Sequence, residues 1–327
     1  MIRRREFIAG LGSVVSLPVL ARAQQGRRLR HIAVLMGTAE SAEYQNYLSR
    51  FFGRLAELGW KTGVNLSVDV RWWKDGQQMQ PIIAEMLASS PDVVVPLTNL
   101  ALATLKPLAR NVPVVFVGVG DPIGDGFVPS LAHPGGNITG FTSHDAPMGG
   151  KWLQILKEGY PRLTRVMAIL HPETPVHQAY WKSLTDAAPQ LGVEATPAGV
   201  RSAVDIESAI LSFANIENAG LVAFPHAVTL VNRDLIIRLS LHHRLPAMYA
   251  VLGAIKAGAL MSYSVDWDES FRQTAEYVDR VLRGESPADL PVQQPTKYWL
   301  EVNLKTAKAI GLTIPESFVL RADEVIE

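Results

Sequence analysis

The 327-residue sequence contains no cysteine, and neither sign of charge is in excess. Without cysteine the chain has no disulfide, no thiolate nucleophile and no cysteine-based zinc site. Lysine plus arginine and aspartate plus glutamate number 31 each, so no basic excess favours nucleic acid as a partner. Apolar residues make up 48% of the chain and charged ones only 19%, which is typical of well-filled cores. This length predicts two domains.

The sequence also lacks the short motifs of several catalytic classes. It has no Gly-X-Ser-X-Gly elbow, no Walker A loop and no His-Glu-X-X-His pair. Its glycines at 118, 120, 124 and 126 are spaced too loosely for a dinucleotide fingerprint. His242 and His243 are adjacent, so they point apart on a helix and make a poor metal pair. We therefore expect no catalytic residue, no cofactor and no metal.

The N-terminus has the three parts of a secretory signal peptide. Arg3 to Arg5 form a basic region, Phe7 to Leu20 form an apolar stretch, and Ala21-Arg22-Ala23 offers small residues for cleavage before Gln24. The apolar stretch is short for a bilayer core of about 30 Å, which takes ~20 apolar residues. We expect residues 1–23 to be removed, with export by either the twin-arginine or the Sec route, and a periplasmic mature chain.

From His31 short apolar runs rich in β-formers alternate with amphipathic stretches, and this rhythm restarts at Arg165. Strands are predicted at 31–36, 65–70, 93–96, 112–119, 138–142, 165–170, 193–198, 221–224, 247–250 and 259–263. Helices are predicted at 43–58, 79–88, 100–109, 176–191, 203–214, 233–243 and 269–282. This alternation predicts an α/β protein with two doubly wound halves, each a parallel sheet covered by helices.

Several segments resemble one known family over essentially the whole mature chain. They are Asp121-Pro122-Ile123-Gly124, residues 131–140 (LAHPGGNITG), residues 258–263 (GALMSY), residues 290–297 (LPVQQPTK), and residues 303–308 with 320–326. The family is the ABC-transporter substrate-binding proteins of the tryptophan/tyrosine-uptake type. The resemblance implies a type I periplasmic-binding-protein fold, in which two Rossmann-like lobes with parallel sheets are joined by a three-segment hinge. Known ligands of some members are aromatic amino acids.

That fold predicts how the chain is divided between the lobes. Residues 27–142 plus about 269–327 are expected to form the first lobe and residues 143–268 the second. The hinge crossings are expected near 141–147, 264–269 and 284–294. Ligand would be enclosed between the lobes when the hinge closes.

Candidate ligand-binding residues follow predicted strands, because ligands of parallel α/β sheets lie beyond the carboxyl ends of strands. In the first lobe they are Gly37, Thr38, Thr98, Asn99, Gly118, Gly120 and Asp121. In the second lobe they are His171, Phe224, His226 and Tyr249.

Each role has a structural alternative. Thr98 and Asn99 would hold a ligand carboxylate, or simply cap the next helix. Asp121 would pair with a ligand ammonium group, or open a turn with the following proline. Phe224 and Tyr249 would stack on a flat ligand, or belong to the core.

The predicted function is that of an extracytoplasmic solute-binding component of an ABC uptake system, which captures a small organic ligand such as an amino acid or aromatic compound. Its partners would be that ligand and an ABC permease in the inner membrane, and the chain is expected to be a monomer. A periplasmic sensory module would share every feature above. An exported α/β enzyme stays a further alternative, because a catalytic constellation assembled only in space leaves no sequence motif.

Overall fold

The computed structural model describes residues 29–74, 78–250 and 254–327, so the predicted signal peptide lies outside the described residues. Its strands are β1 (Arg30–Met36), β2 (Leu66–Trp72), β3 (Val93–Leu97), β4 (Val114–Val119), β5 (Ile138–Thr142), β6 (Arg165–Leu170), β7 (Glu194–Gly199), β8 (Ala219–Ala223), β9 (Ala247–Tyr249), β10 (Met261–Val265), β11 (Tyr298–Asn303) and β12 (Glu324–Ile326). Its helices are α1 (Ala42–Glu57), α2 (Met79–Ala88), α3 (Asn99–Leu105), α4 (Met148–Gly159), α5 (Pro175–Ala187), α6 (Ala203–Phe213), α7 (Ala227–Val231), α8 (Arg233–His242), α9 (Trp267–Leu282), α10 (Leu304–Ala309) and α11 (Glu316–Val319). In this part of the chain we find no helix with the length and apolar character needed to span a bilayer.

The first sheet has five strands in the order β2-β1-β3-β4-β5, and its paired neighbours all run parallel. Strands β3 and β5 are buried along their whole length. Continuous apolar runs of this kind suit parallel strands that helices cover on both faces. The β-α alternation of the sequence is thereby confirmed for the first half.

The second sheet has seven strands in the order β12-β11-β10-β9-β8-β6-β7. Its pairs are parallel except for β10 and β11, which run antiparallel. Helices α4 and α5 pack with the core on one face of this sheet, and α6 and α8 with the core on the other. The two-sheet α/β class predicted from the sequence is therefore confirmed.

Helix α9 follows β10 in the chain but packs on the first sheet. Its buried face joins the same apolar cluster as Phe51 and Leu55 of α1. Arg54 of α1 donates to Glu276 of α9 at 2.8 Å, and the Trp60 indole donates to Asp279 at 2.7 Å. The chain thus returns to the first sheet for this helix.

The chain passes between the sheets three times within the described residues. The first passage runs from β5 to α4, and the second joins β10 to α9. The third follows Gln293, which is still bound to the first sheet because its carbonyl accepts from the Thr142 amide at 2.9 Å. It ends where β11 begins at Tyr298, so it lies slightly later than the 284–294 expected. We propose these three passages as the hinge.

The expected division of the chain needs one correction, at its C-terminal end. Residues 298–327 were expected in the first lobe, but β11 and β12 extend the second sheet. Met261 of β10 pairs with Val302 of β11, and Val302 also pairs with Val325 of β12. A sequence pattern does not reveal which sheet a late strand joins, because every sheet edge offers the same unpaired backbone groups.

Helix α4 is not predicted by the sequence pattern, and its first turn contains Gly149 and Gly150, which disfavour a helix. A β carbon at Gly149 would lie 1.9 Å from the Tyr180 carbonyl oxygen, and one at Gly150 would lie 3.0 Å from the Ser183 carbonyl oxygen. The two glycines therefore allow the backbones of α4 and α5 to approach closely. Tertiary packing here outweighs intrinsic propensity.

Candidate functional site

A cavity lies where the carboxyl ends of the two sheets face each other. It is bounded by the loops after β3, β4, β8 and β9, by the crossing segments and by α5, and its volume is about 30 Å³. Its lining residues are Leu97, Thr98, Asn99, Gly118, Gly120, Ser143, Tyr180, Pro225, His226, Leu230, Ala250 and Trp267. Ligands of parallel α/β sheets bind at this edge, so the cavity is the candidate site.

Thr98 directly follows β3, and its φ of 88° is a backbone conformation that residues other than glycine rarely adopt. Its Oγ1 accepts from the Ala101 amide at 3.3 Å, so Thr98 is the N-cap of α3. Gly37 makes room for it, because a β carbon there would lie 2.4 Å from both the Leu97 carbonyl oxygen and Thr98 Oγ1. Thr98 therefore caps the helix and lines the cavity at once.

Gly37 and Thr38 make structural contacts within the first lobe. Thr38 is buried, and its side chain is hydrogen-bonded to the Tyr44 hydroxyl. Its carbonyl oxygen accepts from the Trp73 amide at 3.1 Å. Neither Gly37 nor Thr38 is among the cavity-lining residues.

The Asn99 side chain is fully engaged by the protein itself. Its Nδ2 donates to the Gly120 carbonyl oxygen and to Asp125 Oδ2, both at 2.7 Å. Its Oδ1 accepts from the Gly120 amide at 2.9 Å. Asn99 thereby ties the loop after β4 to the N-terminus of α3, so it shapes the cavity wall.

The two glycines after β4 make space for aromatic side chains. A β carbon at Gly118, whose φ is +71°, would lie 2.8 Å from the Trp267 ring. One at Gly120 would lie 2.2 Å from the Tyr180 hydroxyl oxygen. Tyr180 belongs to the second lobe and Gly120 to the first, so this is a contact across the cleft. The protein's own aromatic rings therefore lie against the backbone at these two glycines.

Asp121 opens a turn, which is the structural alternative to pairing with a ligand ammonium group. Its φ is 38°, and its Oδ1 accepts from the Gly124 amide at 2.9 Å within its own turn. It is not among the cavity-lining residues. The carboxylate that spans the cleft is Asp125, whose Oδ1 accepts from the Val176 amide of α5 at 3.0 Å. Burial raises the pKa of Asp125 above its ordinary value.

A second polar contact spans the cleft near its outer edge. Arg233 at the start of α8 donates to Glu43 in the first turn of α1 at 2.7 Å. The two side chains are only 15% and 18% exposed, so solvent screens the pair weakly. Together with the contacts of Asp125 and Tyr180, this pair holds the lobes in a closed arrangement.

Three histidines of the second lobe form a cluster beside the cavity. The His171 and His226 rings stack with centroids 4.3 Å apart. His177 Nδ1 accepts from the His171 amide at 2.7 Å, so its hydrogen is on Nε2, which donates to the Pro225 carbonyl oxygen. Burial lowers the pKa of His177 to about 4 and that of His226 well below its ordinary value, so both rings are neutral at pH 7.

Only His226 of this cluster lines the cavity. Its Nδ1 accepts from the Val228 amide at 3.2 Å, which makes it the N-cap of α7 and leaves Nε2 as a donor. His171 lies behind it in the stack. The second lobe therefore presents a neutral hydrogen-bond donor at this point.

Phe224 and Tyr249 lie in the core, so the expected stacking wall is not built from them. The Phe224 ring packs between Trp152 and Tyr180, with centroids 5.6 and 5.5 Å away. The Tyr249 hydroxyl is hydrogen-bonded to Ser240 of α8 at 2.9 Å, on the other side of the sheet. Neither residue lines the cavity.

Trp267 and Tyr180 are the aromatic residues that do line it, and the sequence analysis did not select them. Trp267 directly follows the N-cap Asp266 of α9, so its place at a hinge crossing was a usable signal. Tyr180 lies in the middle of α5, where no local pattern distinguishes a cavity residue from a core residue. The sequence analysis selected Asp121 as the candidate carboxylate because its Asp-Pro pair follows a predicted strand, and it did not select Asp125.

The cavity wall is electrically neutral over the residues that the structure describes, because none of its lining side chains is ionised at pH 7. The same part of the chain has no cluster of three or more histidine, aspartate or glutamate side chains suited to a metal ion. The arrangement can enclose a small molecule between neutral polar groups and aromatic faces.

Comparisons with known proteins identify related binding proteins. A "Tyrosine-binding protein" of Clostridioides difficile is 22% identical over 263 residues, which cover 80% of this chain and 75% of the relative. A solved Streptococcus pneumoniae ABC domain in complex with L-Trp matches with a TM-score of 0.82 and 22% identity, over 91% of this chain and 99% of the other. A conserved domain protein of Vibrio cholerae matches with a TM-score of 0.82 and 24% identity, over 91% and 100% of the two chains.

At these identities the solved structures establish the fold. The family is established separately, by a model described as ABC transporter substrate binding protein that matches residues 33–326. The range takes in both sheets and all three crossings between them, which agrees with the resemblance seen in the sequence. The chain belongs to the ABC transporter substrate-binding protein family, and it is a solute-binding protein of two α/β lobes that captures a small ligand.

Proposed function

We propose that the mature chain is the periplasmic receptor of an ABC uptake system and delivers a small organic ligand to a permease in the inner membrane. The observation that carries the proposal is the cavity between the carboxyl ends of both sheets, with polar contacts across the cleft around it. A ligand there touches both lobes at once. Family membership and the signal-peptide pattern of residues 1–23 support the assignment to the periplasm.

Closure of the hinge is the proposed mechanism of capture. The contacts from Asp125 to Val176 and from Glu43 to Arg233 join residues of different lobes, so they form only when the lobes are close. A ligand that contacts both lobes adds to these interactions and shifts the population towards the closed form. The permease would then recognise lobe surfaces that closure brings into register.

The cavity must widen to admit its ligand. Its volume of about 30 Å³ is far below the ~300–1,000 Å³ typical of small-molecule sites. Binding therefore requires the lobes to separate far enough for the ligand to enter. Contacts of the kind made by Asp125 and Glu43 would break on entry and form again, at adjusted distances, around the ligand.

An aromatic compound or an amino acid is the proposed cargo class. The relatives named above are a tyrosine-binding protein and a domain in complex with L-Trp. In this chain Trp267 and Tyr180 supply aromatic surface at the cavity, which favours a flat ligand.

We propose that no catalytic step occurs at this site and that the receptor is a monomer. The imidazole at the cavity, His226, is neutral and is committed as an N-cap. The nearest carboxylate described above, Asp125, has both oxygens hydrogen-bonded within the protein. These groups are arranged to hold a shape rather than to transfer a proton.

Native mass spectrometry of the purified mature chain, followed by calorimetry with any molecule that co-purifies, tests the proposal. We expect one bound small molecule per monomer, a stabilising thermal shift that grows with ligand concentration, and no chemical change in the recovered ligand. Turnover of that ligand, or the absence of binding by amino acids, aromatic acids and small metabolites alike, would contradict the proposal.

A further inference from the structure

We propose that the cavity selects an aromatic ligand that has no ammonium group and whose polar groups are hydrogen-bond acceptors. This inference rests on the proposed function, because it names the ligand class of that same cavity. It separates this chain from relatives whose named ligands are amino acids, which have an ammonium group beside the carboxylate.

An ammonium group enclosed in the cleft requires a negatively charged or strongly accepting partner, since an unpaired buried charge is very unfavourable. Asp125 is poorly placed for this role, because its oxygens already accept from Asn99 Nδ2 and from the Val176 amide. A ligand ammonium that took over either oxygen would remove a bond that shapes the cavity or one that closes the cleft. Binding of the ammonium and closure would then oppose each other.

Two other side-chain acceptors around the cavity are also occupied. Asn99 Oδ1 accepts from Gly120, and His226 Nδ1 accepts from Val228. Asp121 accepts from Gly124 in its own turn and does not reach the cavity wall. The residues that follow Ala250 in the sequence are valine, leucine and glycine, which are uncharged whatever their placement.

Donors, in contrast, are available on both lobes. Thr98 Oγ1 accepts from Ala101, which leaves its hydroxyl hydrogen free to point to a ligand. His226 keeps its hydrogen on Nε2, because Nδ1 is an acceptor. Ser143 adds a hydroxyl from the first crossing segment. A ligand carbonyl, ring nitrogen or carboxylate oxygen matches this set, whereas an ammonium does not.

Trp267 provides the surface on which an aromatic ligand would lie. Its Nε1 donates to Ser264 Oγ at 3.0 Å, which fixes the ring plane and uses its only polar atom. One part of the ring packs over Gly118, and the indole lines the cavity. The part of the Trp267 indole that is left to contact a ligand is therefore aromatic surface, which favours stacking with another ring.

The same indole also lines a second space, which contains a group of carboxylates. This neighbouring space of about 280 Å³ is lined by Trp267 together with the acidic residues Glu43, Asp266, Asp268, Glu301 and Glu324. These carboxylates thus line a separate space, whereas the lining of the candidate cavity is neutral.

The test uses two matched ligand pairs that differ only in the α-ammonium group. Calorimetry on the mature chain, freed of co-purified ligand, compares L-tryptophan with indole-3-propionate and L-tyrosine with 3-(4-hydroxyphenyl)propionate. We expect the compound without the ammonium to bind at least about tenfold more tightly in one pair or both. Equal or tighter binding of the amino acid in the pair that binds would overturn the inference and leave the receptor function standing.

Three variants at two positions locate the effect. Thr98→Val, which removes the donor, should weaken binding of the propionate at least about tenfold, whereas Thr98→Ser should stay within about threefold. Melting temperatures of both variants separate this loss from loss of folding. Asp121→Asn should leave the ratio within each pair unchanged, because an asparagine oxygen also accepts from Gly124. A selective loss of amino-acid binding in Asp121→Asn would contradict the inference.

If none of the four compounds binds, the molecule found by native mass spectrometry decides. A co-purified ligand with an ammonium group, or without an aromatic ring, overturns the inference but supports the proposed function. If no molecule binds at all, both fail.

Discussion

The contact between Gly120 and Tyr180 allows the closed state to be tested with a single methyl group. Gly120 directly follows β4 of the first lobe, and Tyr180 projects from α5 of the second lobe. A β carbon at Gly120 would lie 2.2 Å from the Tyr180 hydroxyl oxygen, 3.2 Å from the His144 carbonyl oxygen and 3.3 Å from Val176 Cγ2. Gly120→Ala should therefore leave each lobe folded and push the lobes apart.

The expected size of the effect follows from overpacking. Inserting a methyl group into a packed contact costs about 1–3 kcal/mol when the surroundings cannot shift freely. If that cost falls on the closed state alone, the ratio of closed to open molecules decreases by about 5- to 150-fold. Ligand affinity should fall by up to the same factor, because the lobes close again around the bound ligand and bring Gly120 and Tyr180 back into contact.

Calorimetry and small-angle X-ray scattering on Gly120→Ala measure the two consequences, namely weaker binding and a larger radius of gyration. Gly136→Ala is the matched control, because a β carbon there meets no atom within 4 Å. Tyr180→Phe removes the clashing hydroxyl, so the double variant Gly120→Ala/Tyr180→Phe should recover affinity relative to Gly120→Ala. Wild-type affinity and wild-type scattering in Gly120→Ala would refute the view that this contact belongs to closure.

Three further predictions concern the ion pair, the indole and a buried histidine. Glu43→Gln should weaken ligand binding roughly tenfold in calorimetry, because it replaces one charged partner of the partly buried Arg233 guanidinium, the one on the other lobe, with a neutral group. Unchanged affinity would show that the pair does not contribute to closure. Trp267→Ala should reduce affinity for an aromatic ligand at least about tenfold, with Trp267→Phe retaining most of it, and equal losses in both variants would argue against stacking. His144 is fully buried in the first crossing, neither ring nitrogen has a hydrogen-bond partner in the described structure, and burial lowers its pKa to about 3. A histidine whose pKa is lower in the folded state than in the unfolded state binds a proton more readily when the chain is unfolded. The free energy of unfolding therefore decreases as the pH falls from about 6.5 towards 3. Urea unfolding at pH 7 and pH 5 should therefore show His144→Phe to be more stable than wild type and to lose about 2 kcal/mol less on acidification, while the exposed-site control His133→Gln keeps the wild-type loss.

The regular elements were predictable where one physical signal dominated. Strand β3 is a short, wholly apolar run, and α9 places Phe271, Val278 and Leu282 on one face. Burial alone accounts for these patterns, so the sequence is sufficient to predict them. The return of α9 to the first lobe was predictable only through the family resemblance.

Other parts of the fold depend on contacts that no local pattern contains. Helix α4 tolerates two glycines because α5 needs close approach there. The placement of β11 depends on which sheet edge is nearest when the third crossing ends, and that is a property of the assembled lobes.

The sequence was sufficient to predict which loops form the candidate site, but not which of their side chains line the cavity. Five residues selected for their position after a strand line one cavity, namely Thr98, Asn99, Gly118, Gly120 and His226. It did not reveal which way a side chain points, and Phe224 and Tyr249 turn into the cores on opposite faces of the second sheet. The aromatic wall comes instead from a helix interior and a crossing segment, at Tyr180 and Trp267.

A crystal structure of the mature chain with its co-purified ligand would test the central claim most directly. We predict that the ligand lies between the lobes, in contact with Thr98 and Trp267 from one side and with Tyr180 or His226 from the other, and that Asp125 still faces the start of α5. A ligand bound within a single lobe, or on an outer surface with the cleft unchanged, would contradict the account.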